Sequence, residues 1–251
     1  MENRQVSSGS GDWRKAVSEV SGQVKEVRVL AAGRKTFYGL SKDLNEIEKK
    51  IPFEKGCYQI RTVEVPALDG RSQNHFFAVA CNSMISTISE ELKSAGLQLS
   101  SLEVPATVLS RRAESLKKHT QTLMQVHVGH KYTQFLLSFD GYPYVAREIC
   151  YGLNDFAVQY STFLKRPMDT ALRELDRHHV LDPGPVEPAV VKLLEQGNRT
   201  MSLFPSPIDA VSVLGPGCLR GLQTRFARHL QAAELNEPGS DIPILLEVTD
   251  S

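Results

Sequence analysis

The spacing of hydrophobic residues along the first half of the chain predicts alternating strands and helices. Apolar residues that recur every three or four positions predict a helix, and apolar residues that alternate with polar ones or run continuously over a few positions predict a strand. Gly96 stands where a glycine commonly ends a helix, and Pro105 stands where a helix begins and needs no amide. The predicted elements are helices over Trp13–Val20, Lys42–Lys50, Asn82–Ala95 and Ala106–Lys118, and strands over Val24–Ala31, Tyr58–Val65, Phe76–Cys81 and Leu99–Val104.

Three of these elements follow one another directly: the strand Phe76–Cys81, the helix Asn82–Ala95 and the strand Leu99–Val104. Two strands of one sheet that are joined through a helix run parallel. The first half of the chain is therefore predicted to contain a parallel crossover unit.

The second half begins with strands and continues with helices. Asp140-Gly141 separates two strand patterns and predicts a hairpin turn. Asp182–Pro185 contains two prolines and a glycine and is predicted to be a loop, while Gly197 is predicted to end the helix that starts at Pro188. The other predicted elements are strands over Thr122–Val128, Gln134–Phe139, Tyr144–Ile149, Val211–Leu214 and Ile242–Val248, and helices over Leu153–Leu164, Thr170–His178 and Leu219–Leu230.

Length and charge narrow the choice of architecture and of partner. A length of 251 residues favours either two compact lobes or one large α/β unit. We expect two α/β lobes, over residues 23–118 and 119–251, after a tail and short helix over 1–22. Lys plus Arg and Asp plus Glu each number 29, so the formal net charge is zero. The chain therefore carries no overall attraction to nucleic acid or to an anionic membrane.

Residues of the types that usually bind metal ions or act as catalytic nucleophiles are scattered along the chain. The four cysteines are far apart and form no CxxC pair, and no GxSxG nucleophile motif is present. Metal sites also require a further ligand at a characteristic spacing from their histidines. The sequence offers no such ligand near His127 and His130, or near the adjacent pair His178 and His179. We therefore predict no metal site and no catalytic residue.

A further pattern lies in three segments that follow one another in order. The chain reads FFAVACNSMISTISEELKSAGLQLSSLEVPATVLSR over Phe76–Arg111, VHVGHKYTQFLLSFDGYPYVAREICYG over Val126–Gly152 and VSVLGPGCLRGL over Val211–Leu222. Together these segments resemble the PilM and GspL family, actin-like assembly proteins of type IV pilus and type II secretion systems. The resemblance extends over about Val24–Leu230, and the order of the segments is more specific than any one of them.

The sequence departs from the family pattern at the residues that would hold a phosphate. His127 stands where the family has an aspartate before the hairpin turn, and Pro216 replaces the middle glycine of the later turn. The first D-x-G hairpin of an actin-like fold has no counterpart before Val24. Either the chain is a fragment without that hairpin, or this member of the family has lost it.

The resemblance implies a two-lobed actin-like α/β fold, degenerate or truncated at its N-terminus. It implies a non-catalytic scaffold of an inner-membrane assembly platform that needs no cofactor. Such a scaffold would be cytoplasmic, and either peripheral to the inner membrane or tethered to it. Its expected partners are the assembly ATPase, a bitopic membrane protein, or both. The resemblance is also compatible with a homodimer. The alternative is an actin-like protein that binds ATP and Mg²⁺ and keeps residual ATPase activity, with vestigial nucleotide-binding candidates at Gly129, Thr133, Gly215 and Gly217.

Three arginines are candidates for contacts with a protein partner. Arg61 lies on the strand Tyr58–Val65, where alternation directs it to solvent and where an unpaired strand edge could accept an added strand. Coverage of that edge by the N-terminal helix is the competing interpretation. Arg220 and Arg225 lie on the helix Leu219–Leu230, whose charged face is either simply solvated or binds an acidic partner.

Overall fold

The computed structural model describes residues 25–68, 72–178, 183–235 and 246–248, together with Val17. The chain divides into two compact units, one formed by Met1–Val108 with Gly239–Ser251 and the other by Leu109–Pro238. The observed boundary thus lies ten residues before the expected one at 118/119, inside a helix, and the end of the chain belongs to the first unit.

The first unit contains a three-stranded parallel sheet. Strand β1 (Glu26–Ala31) lies at its centre, between β5 (Gln98–Glu103) and β11 (Leu246–Val248). Helix α2 (Asn82–Ser94) packs Met84, Ile88 and Leu92 against Val29 and Ala31. These apolar residues follow the helical spacing that the sequence predicts, and they form the core of this layer.

A second sheet of the first unit is antiparallel and has the order β2-β4-β3. Its strands are β2 (Thr36–Ser41), β3 (Tyr58–Pro66) and β4 (Gln73–Cys81). Helix α1 (Leu44–Lys50) is capped by the Asp43 carboxylate, which accepts from the backbone N–H of Asn45. The helix covers one face of the sheet, where Ile47 packs with Phe77 and Val79.

The second unit is built on a five-stranded sheet of order β10-β9-β6-β7-β8. Its central strand, β6 (Thr122–Val128), pairs with β7 in antiparallel and with β9 in parallel orientation, and every one of its residues is buried. The other strands are β7 (Thr133–Phe139), β8 (Tyr142–Ile149), β9 (Ala210–Leu214) and β10 (Ala233–Glu234).

Helices cover this sheet and complete the core of the second unit. The apolar side chains of β6 pack against residues of α4, α6 and α7, including Phe156, Leu193 and Phe226. On the other face Leu123 packs with Ala113 and Leu116 of α3. The helices are α3 (Pro105–Leu116), α4 (Leu153–Leu164), α5 (Met168–His178), α6 (Pro183–Met201) and α7 (Leu222–Leu230). None of the described helices combines the length and the hydropathy that a bilayer crossing requires.

The predicted crossover unit is wrong. Strand β4 pairs with β2 and β3, whereas β5 pairs with β1, so the two strands that α2 connects lie in different sheets. Hydrophobic periodicity locates a strand but does not select its neighbour.

Two further differences concern glycine and proline. The predicted loop Asp182–Pro185 is wrong from Pro183 onward, because α6 begins there and prolines are tolerated in the first turn of a helix. Gly197 does not end the helix; a Cβ at this position would lie 2.9 Å from the Phe226 ring, so the glycine allows α7 to pack closely. Strand β2 was absent from the predicted elements.

Two predicted elements fall largely outside the described residues. Of the helix Trp13–Val20 the structure describes Val17 alone, which is buried in the core beneath β1. Of the strand Ile242–Val248 it describes Leu246–Val248, which pairs with β1. The remaining predicted strands and helices are confirmed to within a few residues at their ends.

Candidate functional site: two glycine turns beside strand β6

The first turn of the candidate site joins β6 to β7. The Gly129 N–H donates to the Tyr132 carbonyl at 2.9 Å and closes the turn. Helix α4 begins directly against it: the N–H groups of Leu153 and Asn154 donate to the carbonyls of Gly129 and His130, each at 2.9 Å. Two of the donors that a helix N-terminus could offer to an anion are thereby used inside the protein.

Gly152 makes this close docking of α4 sterically feasible. A Cβ at position 152 would lie 2.5 Å from the carbonyl oxygen of Gly129 and 2.7 Å from that of His130. Both neighbours are backbone atoms, which cannot turn aside as a side chain can. The backbone φ of Gly152 is −162°, an extended conformation that any residue adopts, so the requirement for glycine comes from space and not from strain.

The second turn follows β9 and packs on the same end of β6. The Gly217 N–H donates to the Val128 carbonyl at 2.8 Å, and a Cβ at position 217 would lie 2.4 Å from Val128 Cγ1. Gly215 has a φ of +88°, and a Cβ there would lie 2.7 Å from the Val128 oxygen. Pro216, between the two glycines, has no N–H to donate. The turn is therefore closed against the strand rather than open toward a ligand.

A ladder of three polar side chains runs across the sheet beside these turns. His127 on β6, Gln134 on β7 and Glu148 on β8 occupy directly opposite register positions. The Gln134 amide nitrogen donates to the Glu148 carboxylate at 3.1 Å, and the Gln134 oxygen lies 2.8 Å from His127 Nδ1. Because a carboxylate only accepts, it fixes the orientation of the Gln134 amide. The Gln134 oxygen then faces Nδ1, so Nδ1 is the nitrogen of His127 that carries the proton.

The His127 imidazole is buried, and burial lowers its pKa below the usual value of 6.5, although the hydrogen bond to Gln134 opposes the shift. The ring is therefore neutral at neutral pH. Its Nε2 and Cδ2 atoms lie 2.9 Å from the position that a Gly215 Cβ would take, so the ring packs on the glycine turn. A neutral ring held in this place supplies neither the negative charge that would hold Mg²⁺ nor a donor free to move toward a phosphate.

The four vestigial nucleotide-binding candidates fall in the same region of the second unit. Gly129, Gly215 and Gly217 lie in the two turns at the end of β6, and Thr133 opens β7 opposite Val128. The Thr133 hydroxyl donates to the Tyr151 carbonyl at 2.7 Å. The N–H groups of Gly129 and Gly217 and the Thr133 hydroxyl therefore already have acceptors within the protein. A phosphate would have to replace these hydrogen bonds to use the same donors.

Sequence reasoning missed Gln134, Glu148 and Gly152 as residues of this site. The hairpin pattern places a glutamine opposite His127, and a glutamate opposite that glutamine, on three neighbouring strands. That coincidence of polar residues at one cross-strand position was the signal that could have found the ladder. Among the residues described, no group of three His, Cys, Asp or Glu side chains is arranged to hold a metal ion.

The arginine candidates lie in different environments. Arg61 on β3 and Arg220 before α7 are exposed. Arg225 on α7 forms a two-pronged ion pair with Glu187 on α6, one arm of which is the Nη2 to Oε1 contact at 2.6 Å. Hydrogen bonding within this pair raises the pKa of Arg225 and lowers that of Glu187. Arg225 thus already has a carboxylate partner, whereas Arg61 forms no ion pair with another described residue.

Comparison with known proteins identifies the fold of the chain. No family profile and no curated protein matches the chain. Among solved structures the chain is similar to a protein of the PilM-PilN type IV pilus biogenesis complex, with a TM-score of 0.73 and 18% identity over 94% of this chain and 77% of that chain.

Two further solved structures show weaker similarity. The ethanolamine utilization protein EutJ from Carboxydothermus hydrogenoformans has a TM-score of 0.48 and 19% identity over 58% of this chain and 53% of that chain. MreB5 of Spiroplasma citri bound to AMPPNP has a TM-score of 0.49 and 14% identity over 62% of this chain and 60% of that chain. The chain has the actin-like α/β fold that its three characteristic segments predict.

Proposed function

We propose that this protein is a non-catalytic scaffold of a type IV pilus or related type II secretion assembly platform. Two independent observations support the proposal. The fold resembles that of a protein in a pilus biogenesis complex over 94% of this chain. In the two glycine turns that would hold a nucleotide, the N–H groups of Gly129 and Gly217 and the hydroxyl of Thr133 are hydrogen-bonded within the protein.

The proposal that the protein is non-catalytic rests on the hydrogen bonds and the buried histidine at the end of β6. His127 is buried and neutral, the Gly217 N–H is bonded to Val128, and the Thr133 hydroxyl is bonded to Tyr151. Phosphoryl transfer depends on free backbone donors together with a carboxylate that holds Mg²⁺. A site in which the Gly129, Gly217 and Thr133 donors are occupied and an imidazole stands in place of the carboxylate favours a structural role for both turns.

The partners in this proposal are proteins. The similar solved structure is a complex of PilM with PilN, and by analogy this chain binds the cytoplasmic segment of a bitopic inner-membrane protein. Contact with the assembly ATPase is the second part of the proposal. The protein would then lie in the cytoplasm, held at the inner membrane by its partner.

Membrane recruitment tests the scaffold role. The full chain is expressed in a pilus-deficient bacterium with and without a bitopic pilus protein of its own organism, and membranes are separated from cytosol. We expect the chain in the membrane fraction only when that partner is present, and in the cytosol when the partner lacks its cytoplasmic segment. Equal membrane association in all three strains would contradict the proposal.

A further inference from the structure

The outer edge of strand β3 is long and has neither a bulge nor a proline inside the strand. β3 has nine residues, and within the described part of the chain it pairs with β4 alone. Its pairing with β4 is continuous, with no register shift, and its proline, Pro66, is the last residue of the strand. Proteins commonly protect such an edge with a bulge or with a proline inside the strand.

Strand β8, an edge of the five-stranded sheet, shows such protection. Pro143 lies within β8, and the β7–β8 pairing shifts register between Leu137 and Ser138. The two edges therefore differ in kind, since one is irregular and the other is regular along its whole length.

The hydrogen bonds at the two ends of β3 show which backbone groups face outward. The Asn82 N–H donates to the Cys57 carbonyl at 2.8 Å, and the Ala67 N–H donates to the Ser72 carbonyl at 2.9 Å. Both bonds join directly opposite residues, and hydrogen-bonded pairs alternate along an antiparallel ladder. The odd-numbered residues of β3 therefore bond to β4. The N–H and C=O groups of the even-numbered residues, Tyr58, Ile60, Thr62 and Glu64, point away from the sheet.

Several side chains along this edge are exposed to solvent. Val63 is 61% exposed, and Arg61 and Glu64 are exposed as well. Neither charged residue forms an ion pair with another residue that the structure describes. Arg61 and Val63 lie on one face of the sheet and Glu64 on the other, because side chains alternate along a strand.

The outward backbone groups and exposed side chains of β3 indicate which kind of ligand this edge could bind. On the basis of the proposed scaffold function, we propose that the outer edge of β3 binds an extended segment of a partner protein as an added strand. A carboxylate of that segment lies opposite Arg61, and an apolar side chain lies opposite Val63. Backbone bonds to Ile60, Thr62 and Glu64 hold the segment, and the two side-chain pairs select its sequence.

A second copy of the chain fits this edge less well. In a two-fold antiparallel pairing of β3 with itself, opposite residues lie on the same face, so Arg61 meets only odd-numbered residues. Those residues are Gln59, Arg61, Val63 and Val65, none of which is acidic. Self-association would leave Arg61 without a counter-charge.

The test uses the full chain and two synthetic peptides, Thr-Val-Thr-Asp-Thr-Val-Thr and the same sequence with Lys at the centre. Each peptide reads the same in both directions along its side-chain pattern, so the polarity of the added strand need not be known. Amide hydrogen exchange is measured by NMR with and without peptide. The Asp peptide is expected to slow the exchange of Ile60, Thr62 and Glu64 and to leave Arg61 and Val63, already bonded to β4, unchanged.

Variants separate strand addition from other modes of binding. Thr62→Pro removes one outward N–H and should abolish binding, while Thr62→Ala keeps the N–H and should bind as the wild type does. The Asp peptide should bind the wild type about fivefold more tightly than the Lys peptide, and Arg61→Glu should reverse this preference. Unchanged exchange of β4 in each variant shows that the sheet is intact.

Three results would overturn strand addition: no protection with millimolar Asp peptide, protection that ignores the even–odd alternation, or protection that grows with protein concentration in the absence of peptide. The third would identify a second copy as the occupant. Failure of this test leaves membrane recruitment unaffected. Conversely, recruitment that does not depend on the bitopic partner would contradict the proposed function and leave the peptide result standing.

Discussion

Substitution of Gly152 by alanine tests whether α4 is docked on the hairpin turn as closely as the structure shows. The new Cβ would lie 2.5 Å from the Gly129 oxygen, whereas ordinary van der Waals contacts begin at 3.4 Å. The backbones must therefore separate by roughly 0.9 Å, because interiors are close-packed and the clashing atoms are not side chains. This separation stretches the bonds from Leu153 and Asn154 to the turn, both 2.9 Å long.

The cost of Gly152→Ala follows from these contacts. Two buried backbone hydrogen bonds contribute about 1 kcal/mol each, and overpacking adds about 1–3 kcal/mol. We expect the free energy of unfolding to fall by about 3–5 kcal/mol, which lowers the melting temperature by roughly 6–20 °C for a chain of this size.

Chemical denaturation with urea, followed by circular dichroism, measures the change directly. The matched control is Gly39→Ala, in which the new Cβ would meet the Phe77 ring at 3.2 Å, a side chain that can shift. The control should lose less than about 1 kcal/mol. If Gly152→Ala were as stable as the control, α4 would not be docked on the turn as described.

Three further predictions concern other contacts of the second unit. Burial lowers the pKa of His127 in the folded state, so the folded protein binds fewer protons than the unfolded chain as the pH falls. The stability that neutral His127 contributes is therefore fully present above pH 6.5, the pKa of the unfolded chain, and is lost as the pH falls below that value. Urea melts at pH 7.5 and 5.5 should show this loss, and His127→Gln should reduce it; an unchanged pH dependence in the variant would assign the loss to other groups. Arg147→Lys should lower the free energy of unfolding by about 1–2 kcal/mol, because lysine cannot reproduce the several hydrogen bonds of the guanidinium to α6; a urea midpoint equal to that of the wild type would show those bonds to be dispensable. Arg225→Ala should cost about 1 kcal/mol, since the bidentate pair with Glu187 is only partly buried. A much larger loss in the same assay would show that the pair is a core contact.

The sequence predicts the elements of the second unit well because their signals are local. The hairpin of β6 and β7 is encoded by two short, largely apolar runs on either side of a short turn. Asp140-Gly141 marks the next turn, where both residues have positive φ. The resemblance to the PilM and GspL family implied candidates in both the Gly129 and the Gly215 turn, and the structure places both turns at the same end of β6.

The first unit is harder to predict because its decisive information is not local. The pattern of β4, α2 and β5 resembles a crossover, and only the pairing of β4 with β2 and β3 shows that the two strands lie in separate sheets. Strand β2 has Gly39 at its centre, which weakens a strand signal. The close approach of Gly39 to the Phe77 ring is visible only in the folded structure.

The closed site was predictable in part. The replacements at His127 and Pro216 indicated a poor phosphate cradle, but they did not show that the remaining donors are occupied. That conclusion depends on hydrogen bonds such as Thr133 to Tyr151 and Gly217 to Val128, which join residues distant in sequence. Periodicity and motif order carry no information on such bonds.

Titration of the full chain with ATP and Mg²⁺ by calorimetry, paired with melting curves at millimolar ATP, tests the central claim that the two turns are closed. A site with nucleotide at roughly 100 times its Kd would stabilise the folded state by about 2.7 kcal/mol and raise the melting temperature by several degrees. The closed site predicts no heat of binding and no shift. A saturable heat together with a Mg²⁺-dependent rise in melting temperature would contradict the account and favour an actin-like ATP-binding protein.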